Sequence, residues 1–198
     1  TDDGKINVLD LDLAPSVIPG IIEFGSKVND IAITSDELFV ATSSGVAVAD
    51  ITNPDFAQIT ATGLAFTNIS SITGTSGNVF AGLSSGNIEV LDIECNPIST
   101  IETHGKVSDM LIDGNYLLSI DDGRWLSVFD ISSPVAWVEV ASINPGEDLL
   151  RMQLNGDYLY ISTSDGKVAV VNIERITSPR LRSEFVSEGY FSGLAVSG

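Results

Sequence analysis

The sequence predicts an all-β fold built from repeated four-stranded antiparallel sheets, and three observations support this. Strands that end in an acid or an amide recur about every forty residues, a period typical of β-propellers. Glycine-containing turns separate short runs that are rich in β-branched and aromatic residues. The helical spacing of apolar residues is absent, so we expect almost no helix.

One repeat, from Val107 to Asp148, shows how each element is justified. Alternating apolar residues bounded by turn residues predict its four strands at 107–112, 115–120, 124–131 and 136–143. In the turn after the second strand, Gly123 is expected to supply the positive φ that residues with a Cβ resist. Pro134 ends the third strand, because proline cannot donate a hydrogen bond to the ladder. Four such strands make one propeller blade.

The other copies follow the same plan and predict a single propeller domain over residues 1–198, with about five four-stranded blades. Four whole repeats are expected at approximately 28–68, 69–106, 107–148 and 149–190. Residues 191–198 and 1–27 supply a fifth blade, which is split between the two termini and lacks its second strand. Two interpretations stay open, a five-bladed ring or a piece of a longer propeller. We favour the second slightly, because an unpaired third strand would expose a ladder edge.

The third strands carry a family resemblance. They read NVLDL, AVADI, EVLDI, SVFDI and AVVNI, five copies in register over almost the whole chain. This pattern resembles the LVIVD repeat. Asn172 replaces the final acid in the last copy, and Ala47 and Ala49 are expected to thin the packing in the second. The resemblance implies a propeller that serves as a binding scaffold in bacterial and archaeal surface or secreted proteins, with no known reaction.

The composition excludes some partners. The formal net charge is -18, from 27 acidic and 9 basic residues, which argues against nucleic acid and anionic membranes. No apolar run reaches the length of a membrane span, and no signal peptide is visible at Thr1. Cys95 is the only cysteine, so neither an intramolecular disulfide nor a cysteine metal site is expected. The compartment stays open on composition alone. The resemblance to the LVIVD repeat, together with the lack of catalytic residues, implies a protein partner and an extracellular or cell-surface location, with the cytoplasm not excluded.

The first strands of propeller blades line the central channel, and their third positions are candidates for ligand binding. These positions are Asp30, Ser71, Asp109, Arg151 and Gly193. Two carboxylates in a confined ring could bind a cation or a small ligand, or act as the acid and base of a glycosidase. The interpretation that we favour is structural, with Asp30 and Asp109 flanking Arg151 and tying neighbouring strands together. We predict no catalytic residue and no metal ligand.

Other chemistry-bearing residues are interpreted as structural. The acids that close the third strands are expected to accept hydrogen bonds from the following turn, as in Asx-turns; they are Asp10, Asp50, Asp92 and Asp130. The Asp-Asp-Gly hairpins at residues 2–4 and 121–123 are predicted to be turns, so no cofactor is expected and calcium is kept as the alternative. His104 is expected on the surface without a catalytic partner. Trp137 with Tyr158, Tyr160 or Phe56 could form a contact patch, although core or inter-blade packing is favoured.

These observations predict a non-catalytic binding or scaffold module that contacts proteins through a propeller face. Two alternatives remain. One is a carbohydrate-binding or glycoside-hydrolysing propeller that uses the channel carboxylates. The other is a surface structural component that a cation stabilises.

Overall fold

The computed structural model describes residues 4–8, 20–53, 56–65, 68–186 and 194. Within these residues the chain forms eighteen β-strands and no α-helix, which confirms the all-β class. The chain divides into two compact units. Unit 1 comprises Thr1–Leu83 and Glu89–Ser99, and unit 2 comprises Ser84–Ile88 and Thr100–Gly198. Among the described residues, no helix is long and apolar enough to cross a membrane.

The strands form four four-stranded sheets and one two-stranded sheet. The small sheet pairs β1 (Lys5–Val8) with β2 (Gly20–Glu23). Blade 1 contains β3 (Val28–Ile33), β4 (Glu37–Thr42), β5 (Gly45–Asp50) and β6 (Gln58–Gly63). Blade 2 contains β7 (Ile69–Gly74), β8 (Asn78–Leu83), β9 (Asn87–Asp92) and β10 (Pro97–Glu102). Blade 3 contains β11 (Val107–Asp113), β12 (Tyr116–Asp121), β13 (Leu126–Asp130) and β14 (Val138–Ile143). Blade 4 contains β15 (Leu149–Asn155), β16 (Tyr158–Thr163), β17 (Lys167–Asn172) and β18 (Arg180–Val186).

In every four-stranded sheet the strands follow the chain order from one edge to the other, as in a propeller blade. The predicted split blade falls largely outside the described residues. Of its parts the structure describes β1, β2 and the residues that follow β2, whereas Gly193 lies outside the described residues. The prediction that the termini share a blade therefore stays a prediction, as does the single domain.

A β-bulge interrupts the first strand of each blade after its first residue. The ladder register shifts between Val28 and Asp30, Ile69 and Ser71, Val107 and Asp109, and Leu149 and Arg151. A bulge bends the strand and re-aims the side chain that follows it. The same irregularity at the same place in four blades sets the direction of the third-position side chains.

The core of unit 1 forms between the sheets of blades 1 and 2 and beneath the small sheet. Phe39, Ile69 and Ile72 belong to one buried cluster. Ala47 and Ala49 belong to another, which includes Ile22 of β2 and is flanked by Phe24. Both alanines are buried, and Ala47 also lines a cavity of about 280 Å³. The expectation that these alanines thin the packing stays a prediction.

The core of unit 2 lies between blades 3 and 4. It contains buried aliphatic side chains from the second and third strands of both blades, among them Leu118, Val128, Leu159 and Val171. Strands buried on one face alternate apolar and polar residues, and strands buried on both faces are apolar throughout. Burying each large aliphatic side chain contributes about 1.5–3 kcal/mol.

Arg124 occupies a turn position at which the other blades have glycine. Asp121 pairs with Val107 in the ladder as Thr163 pairs with Leu149, so Arg124 corresponds to Gly166, each three residues further on. Arg124 has a φ of 71° and Gly166 a φ of 79°, whereas Gly123 is not in the positive-φ region. The expectation that Gly123 supplies the positive φ is therefore wrong. An alignment of the copies at their glycines places blade 3 one residue out of register with the other blades.

Candidate functional site

The structure places the predicted channel residues on neighbouring first strands within each unit. Asp30 and Ser71 lie on β3 and β7 of unit 1, and Asp109 and Arg151 lie on β11 and β15 of unit 2. Each of the four directly follows a β-bulge. The sequence thus assigned them to equivalent positions in their blades.

In unit 1, Asp30 joins two blades through their backbones. Its Oδ2 accepts a hydrogen bond from the backbone N of Ile72 at 2.9 Å. Beside it, Asn29 Nδ2 donates to the carbonyl oxygen of Ile69 at 3.1 Å. Ser71 is fully buried, and its Oγ has no hydrogen-bond partner among the described residues. Polar side chains of β3 therefore hold β7 in place.

In unit 2, Asp109 makes the equivalent contact. Its Oδ2 accepts a hydrogen bond from the backbone N of Met152 at 2.8 Å, and its Oδ1 accepts one from Met110 N at 3.0 Å. Arg151 Nη1 donates in the opposite direction, to the carbonyl oxygen of Ser108 at 2.8 Å. The same device thus recurs in both units, with the carboxylate of one blade on the backbone amide of the next.

This geometry limits the chemistry that the two carboxylates offer. One oxygen of Asp30 and both oxygens of Asp109 accept hydrogen bonds from backbone amides, which occupies part of their capacity to accept from a ligand. A metal site needs several ligands that converge. No group of three or more His, Cys, Asp or Glu residues in the described part of the chain is placed to hold a metal ion. Ligand binding at these positions stays a prediction.

The acids that close the third strands accept hydrogen bonds from the turns that follow, and Asp50 and Asp130 do so as Asx-turns. Asp50 Oδ1 accepts from Thr52 N at 2.8 Å, Asp92 Oδ1 from Asn96 N at 2.7 Å, and Asp130 Oδ1 from Ser132 N at 2.9 Å. Side-chain and backbone hydrogen bonds from Thr52 and from Asn96 lower the pKa of Asp50 and Asp92, and bonds from Ser132 lower the pKa of Asp130. The structural interpretation is confirmed for these three acids, whereas Asp10 lies outside the described residues.

The turn after the second strand of blade 3 contains a polar cluster that the sequence did not reveal. Asp121 is buried, and its carboxylate accepts hydrogen bonds from His104 N at 3.2 Å and Trp125 N at 3.1 Å. His104 Nδ1 lies 4.0 Å from Asp121 Oδ2, and the imidazole stacks on Trp125 with ring centroids 4.9 Å apart. Burial raises the pKa of Asp121, and these hydrogen bonds oppose the rise only in part.

The register explains why this cluster was missed. Asp121 stands at the ladder position of Thr163, whose Oγ1 accepts a hydrogen bond from Lys167 N at 3.1 Å. An acid thus replaces a hydroxyl as the acceptor of the turn. His104 is surface-exposed as expected, and the structure adds a carboxylate neighbour, Asp121, that the sequence did not indicate. Its partner is 17 residues away in sequence, and the ladder register brings the two together.

The surroundings of the Cys95 side chain disfavour its thiolate form. It lies buried in the turn after β9, with a φ of 64°. Burial, reinforced by the negative charges of Asp92 and Glu94, raises the pKa of its thiol to about 11. A thiol of this kind remains protonated near neutral pH, and the thiolate is the reactive form.

The aromatic residues of the suggested contact patch are divided between packing and exposure. Trp137 packs edge-to-face on Phe129, with ring centroids 6.1 Å apart. Phe56 is 73% exposed in the loop between β5 and β6. Tyr158 and Tyr160 line a separate groove on blade 4. The packing interpretation is confirmed for Trp137, whereas Phe56 and Tyr158 are exposed.

Comparison with protein families and solved structures agrees with this architecture. The model of the LVIVD repeat matches residues 104–144 and 151–186. No curated protein matches the chain significantly.

Many solved structures resemble this fold, and three of them illustrate it. The computationally designed Ika8 protein superposes with a TM-score of 0.73 at 16% identity, over 89% of this chain and 54% of that one. The designed Ika4 protein gives a TM-score of 0.62 at 16% identity, over 75% and 92%. KlHsv2 with loop 6CD replaced by a Gly-Ser linker gives 0.59 at 15% identity, over 76% and 52%. The chain thus spans about half the length of Ika8 and of the KlHsv2 variant, and the predicted β-propeller class is confirmed.

Proposed function

Because the chain carries LVIVD repeats on a β-propeller fold, we propose that it is a non-catalytic binding or scaffold module that contacts a partner protein through a propeller face. The observation that carries the proposal is the structural role of the repeated acids, which accept hydrogen bonds from the backbone. Asp30 and Asp109 hold the backbone of the neighbouring blade, and Asp50, Asp92 and Asp130 hold their own turns. The acids that recur from blade to blade therefore stabilise the scaffold.

Features that vary between blades are the ones available for recognition. In blades 1 and 3 the loop between the third and fourth strands presents a large apolar side chain to solvent, Phe56 at 73% exposure and Val135 at 71%. Single exposed apolar residues are common on soluble proteins. Their presence in the same loop of two blades nevertheless makes these loops suitable places to look for a partner. The resemblance to surface and secreted proteins supports a location outside the cell.

Photo-crosslinking tests the proposal. Benzoylphenylalanine is placed at Phe56 or Val135 in the full protein in its own cells, and at the buried Leu118 as the matched control. We expect ultraviolet light to produce a discrete adduct with one partner protein from the loop positions and none from Leu118. Protease treatment of intact cells should cleave the protein if it lies at the surface.

A glycosidase function predicts a different result. Wild-type protein would then hydrolyse a panel of chromogenic glycosides, and Asp30→Asn or Asp109→Asn would abolish the activity while the fold is retained. That outcome, together with the absence of any adduct, would overturn the proposal.

A further inference from the structure

The outer strand of blade 4 lies beside a cationic pocket in an otherwise acidic chain. Three arginines line this pocket of about 180 Å³, together with Asn172, Glu174 and Ser178; they are Arg175, Arg180 and Arg182. They are three of only nine basic residues in the protein. Because its lining has three guanidinium groups and one carboxylate, the pocket is locally positive, whereas the protein as a whole is negative. None of the three arginines forms an ion pair within the part of the chain that the structure describes.

The arginines are peculiar to blade 4. The outer strands of blades 1 to 3, β6, β10 and β14, contain no Lys or Arg, whereas β18 contains two. The repeat therefore does not require them. A charge on an edge strand protects it against unwanted pairing. That protection does not account for Arg175, which lies in the loop before the strand.

An apolar groove adjoins the cationic pocket. It has a volume of about 400 Å³ and is lined by Tyr158, Tyr160, Val170, Ser183 and Phe185, with Arg182 shared between the groove and the pocket. All seven residues of β18 are exposed, and Phe185 is 60% exposed.

The ladder places the groove and the pocket on one face of the sheet. Tyr158, Asn172 and Arg180 are cross-strand partners, and so are Tyr160, Val170 and Ser183. The two rows are two residues apart along β16 and β17. This spacing is about 7 Å, the distance between side chains that share a face of an extended strand.

We propose that this surface of blade 4 binds an extended acidic peptide segment of a partner protein. A carboxylate of the segment pairs with the guanidinium groups, and an apolar side chain two residues away enters the groove. The proposal rests on the proposed function as a protein-binding module. It depends on charge complementarity, since guanidinium groups bind carboxylates through paired, charge-assisted hydrogen bonds.

Two further features suit such a segment. β18 is the last strand of its sheet, so no further strand pairs with its outer edge among the described residues. A bound strand can therefore form main-chain hydrogen bonds there. The net charge of -18 does not prevent this, because salt screens distant charges beyond about 8 Å at physiological ionic strength.

Fluorescence anisotropy with the purified chain tests the proposal. The probe is a fluorescein-labelled peptide of about eight residues, long enough to span β18, in which Glu and Val are placed so that each Glu has a Val two positions away. Control peptides replace every Glu by Gln or every Val by Ser. Arg182→Gln is compared with Arg124→Gln, which removes the same charge from an exposed arginine outside the pocket. Inorganic phosphate serves as a competing small anion.

We expect the wild-type chain to bind the probe and Arg182→Gln to weaken binding about tenfold, the loss of one charge-assisted contact. Arg124→Gln should bind as wild type, and both control peptides should bind more weakly. The proposal fails if the wild-type chain does not bind the probe, or if Arg182→Gln and Arg124→Gln bind it with equal affinity. It also fails if phosphate displaces the probe and replacing Val by Ser leaves the affinity unchanged. Adducts at Phe56 or Val135 would still support the proposed function in those cases.

Discussion

For single residues, one turn of each blade keeps a positive φ while the residue that adopts it changes. Arg124 adopts the positive φ that glycine supplies at Gly45, Gly86 and Gly166. A residue with a Cβ is strained there by about 1 kcal/mol. The half-exposed Arg124 side chain contacts Glu147 at 3.2 Å and Asp148 at 3.2 Å, and surface pairs of this kind contribute little.

A matched pair of substitutions separates the strain from the ion pairs. Arg124→Gly and Arg124→Ala both remove the contacts to Glu147 and Asp148, but only glycine relieves the positive φ. We therefore expect Arg124→Gly to be more stable than Arg124→Ala by about 1 kcal/mol. Urea unfolding followed by tryptophan fluorescence measures this difference. Equal stabilities would show that the backbone here carries no strain.

Among the elements, the bulged first strand joins blade 1 to blade 2 and blade 3 to blade 4. Its third residue is Asp30 in blade 1 and Asp109 in blade 3, and each accepts the backbone amide of the following blade. Blade 4 has Arg151 at this position, and its guanidinium donates back to the carbonyl of Ser108. The position is therefore used for contact between blades by side chains of either charge.

Removing one of these contacts should destabilise unit 2. Asp109→Ala leaves the backbone N–H of Met152 without its hydrogen-bond acceptor. We therefore expect the free energy of unfolding to fall by about 1–2 kcal/mol. Asp109→Asn retains one acceptor oxygen and should lose less. Asp113→Ala, at the exposed end of the same strand, serves as the control and should be near neutral. If Asp113→Ala lowered the free energy of unfolding as much as Asp109→Ala, Asp109 would have no special role in stability.

The sequence predicted this element well. The alternation of residues 107–112 and 115–120 anticipated β11 and β12 to within one residue at each end. The favoured interpretation also had Asp30 and Asp109 tie neighbouring strands together, although it placed them in a ring around the channel. The bulge that aims Asp109 at Met152 could not be predicted, because it arises from the pairing of two strands and leaves no periodic signal in either.

At the scale of the whole molecule, the acid excess governs how stability depends on pH. Hydrogen bonds lower the pKa of Asp50, Asp92 and Asp130 from the ordinary value of 3.8. A carboxylate of this kind contributes stability that is fully present above 3.8 and lost as the pH falls through its folded pKa. Asp121 acts in the opposite sense, since its raised pKa favours the folded state as the pH falls from neutral towards 3.8.

Replacing the three closing acids by Asn tests this account. Asn172 holds the same position in blade 4, so the amide suits the turn. The triple variant Asp50→Asn, Asp92→Asn, Asp130→Asn should lose stability less steeply than wild type as the pH falls below 3.8. Thermal melting across pH 2–7 measures the difference, with the exposed Asp113→Asn as the control. Parallel curves for wild type and the triple variant would show that other groups cause the acid unfolding.

Local patterns were enough to predict the class of the fold, the number of described four-stranded blades and the structural role of the closing acids. Alternation, turn residues and Asx-turns involve residues that are neighbours in the chain. Three features became visible only in the folded chain: which residue takes the positive φ, that His104 meets Asp121, and that Arg175, Arg180 and Arg182 adjoin an apolar groove. Each of these depends on ladder register or on the approach of distant segments. A one-residue shift in pairing reverses the face on which a side chain lies, and no single strand records it.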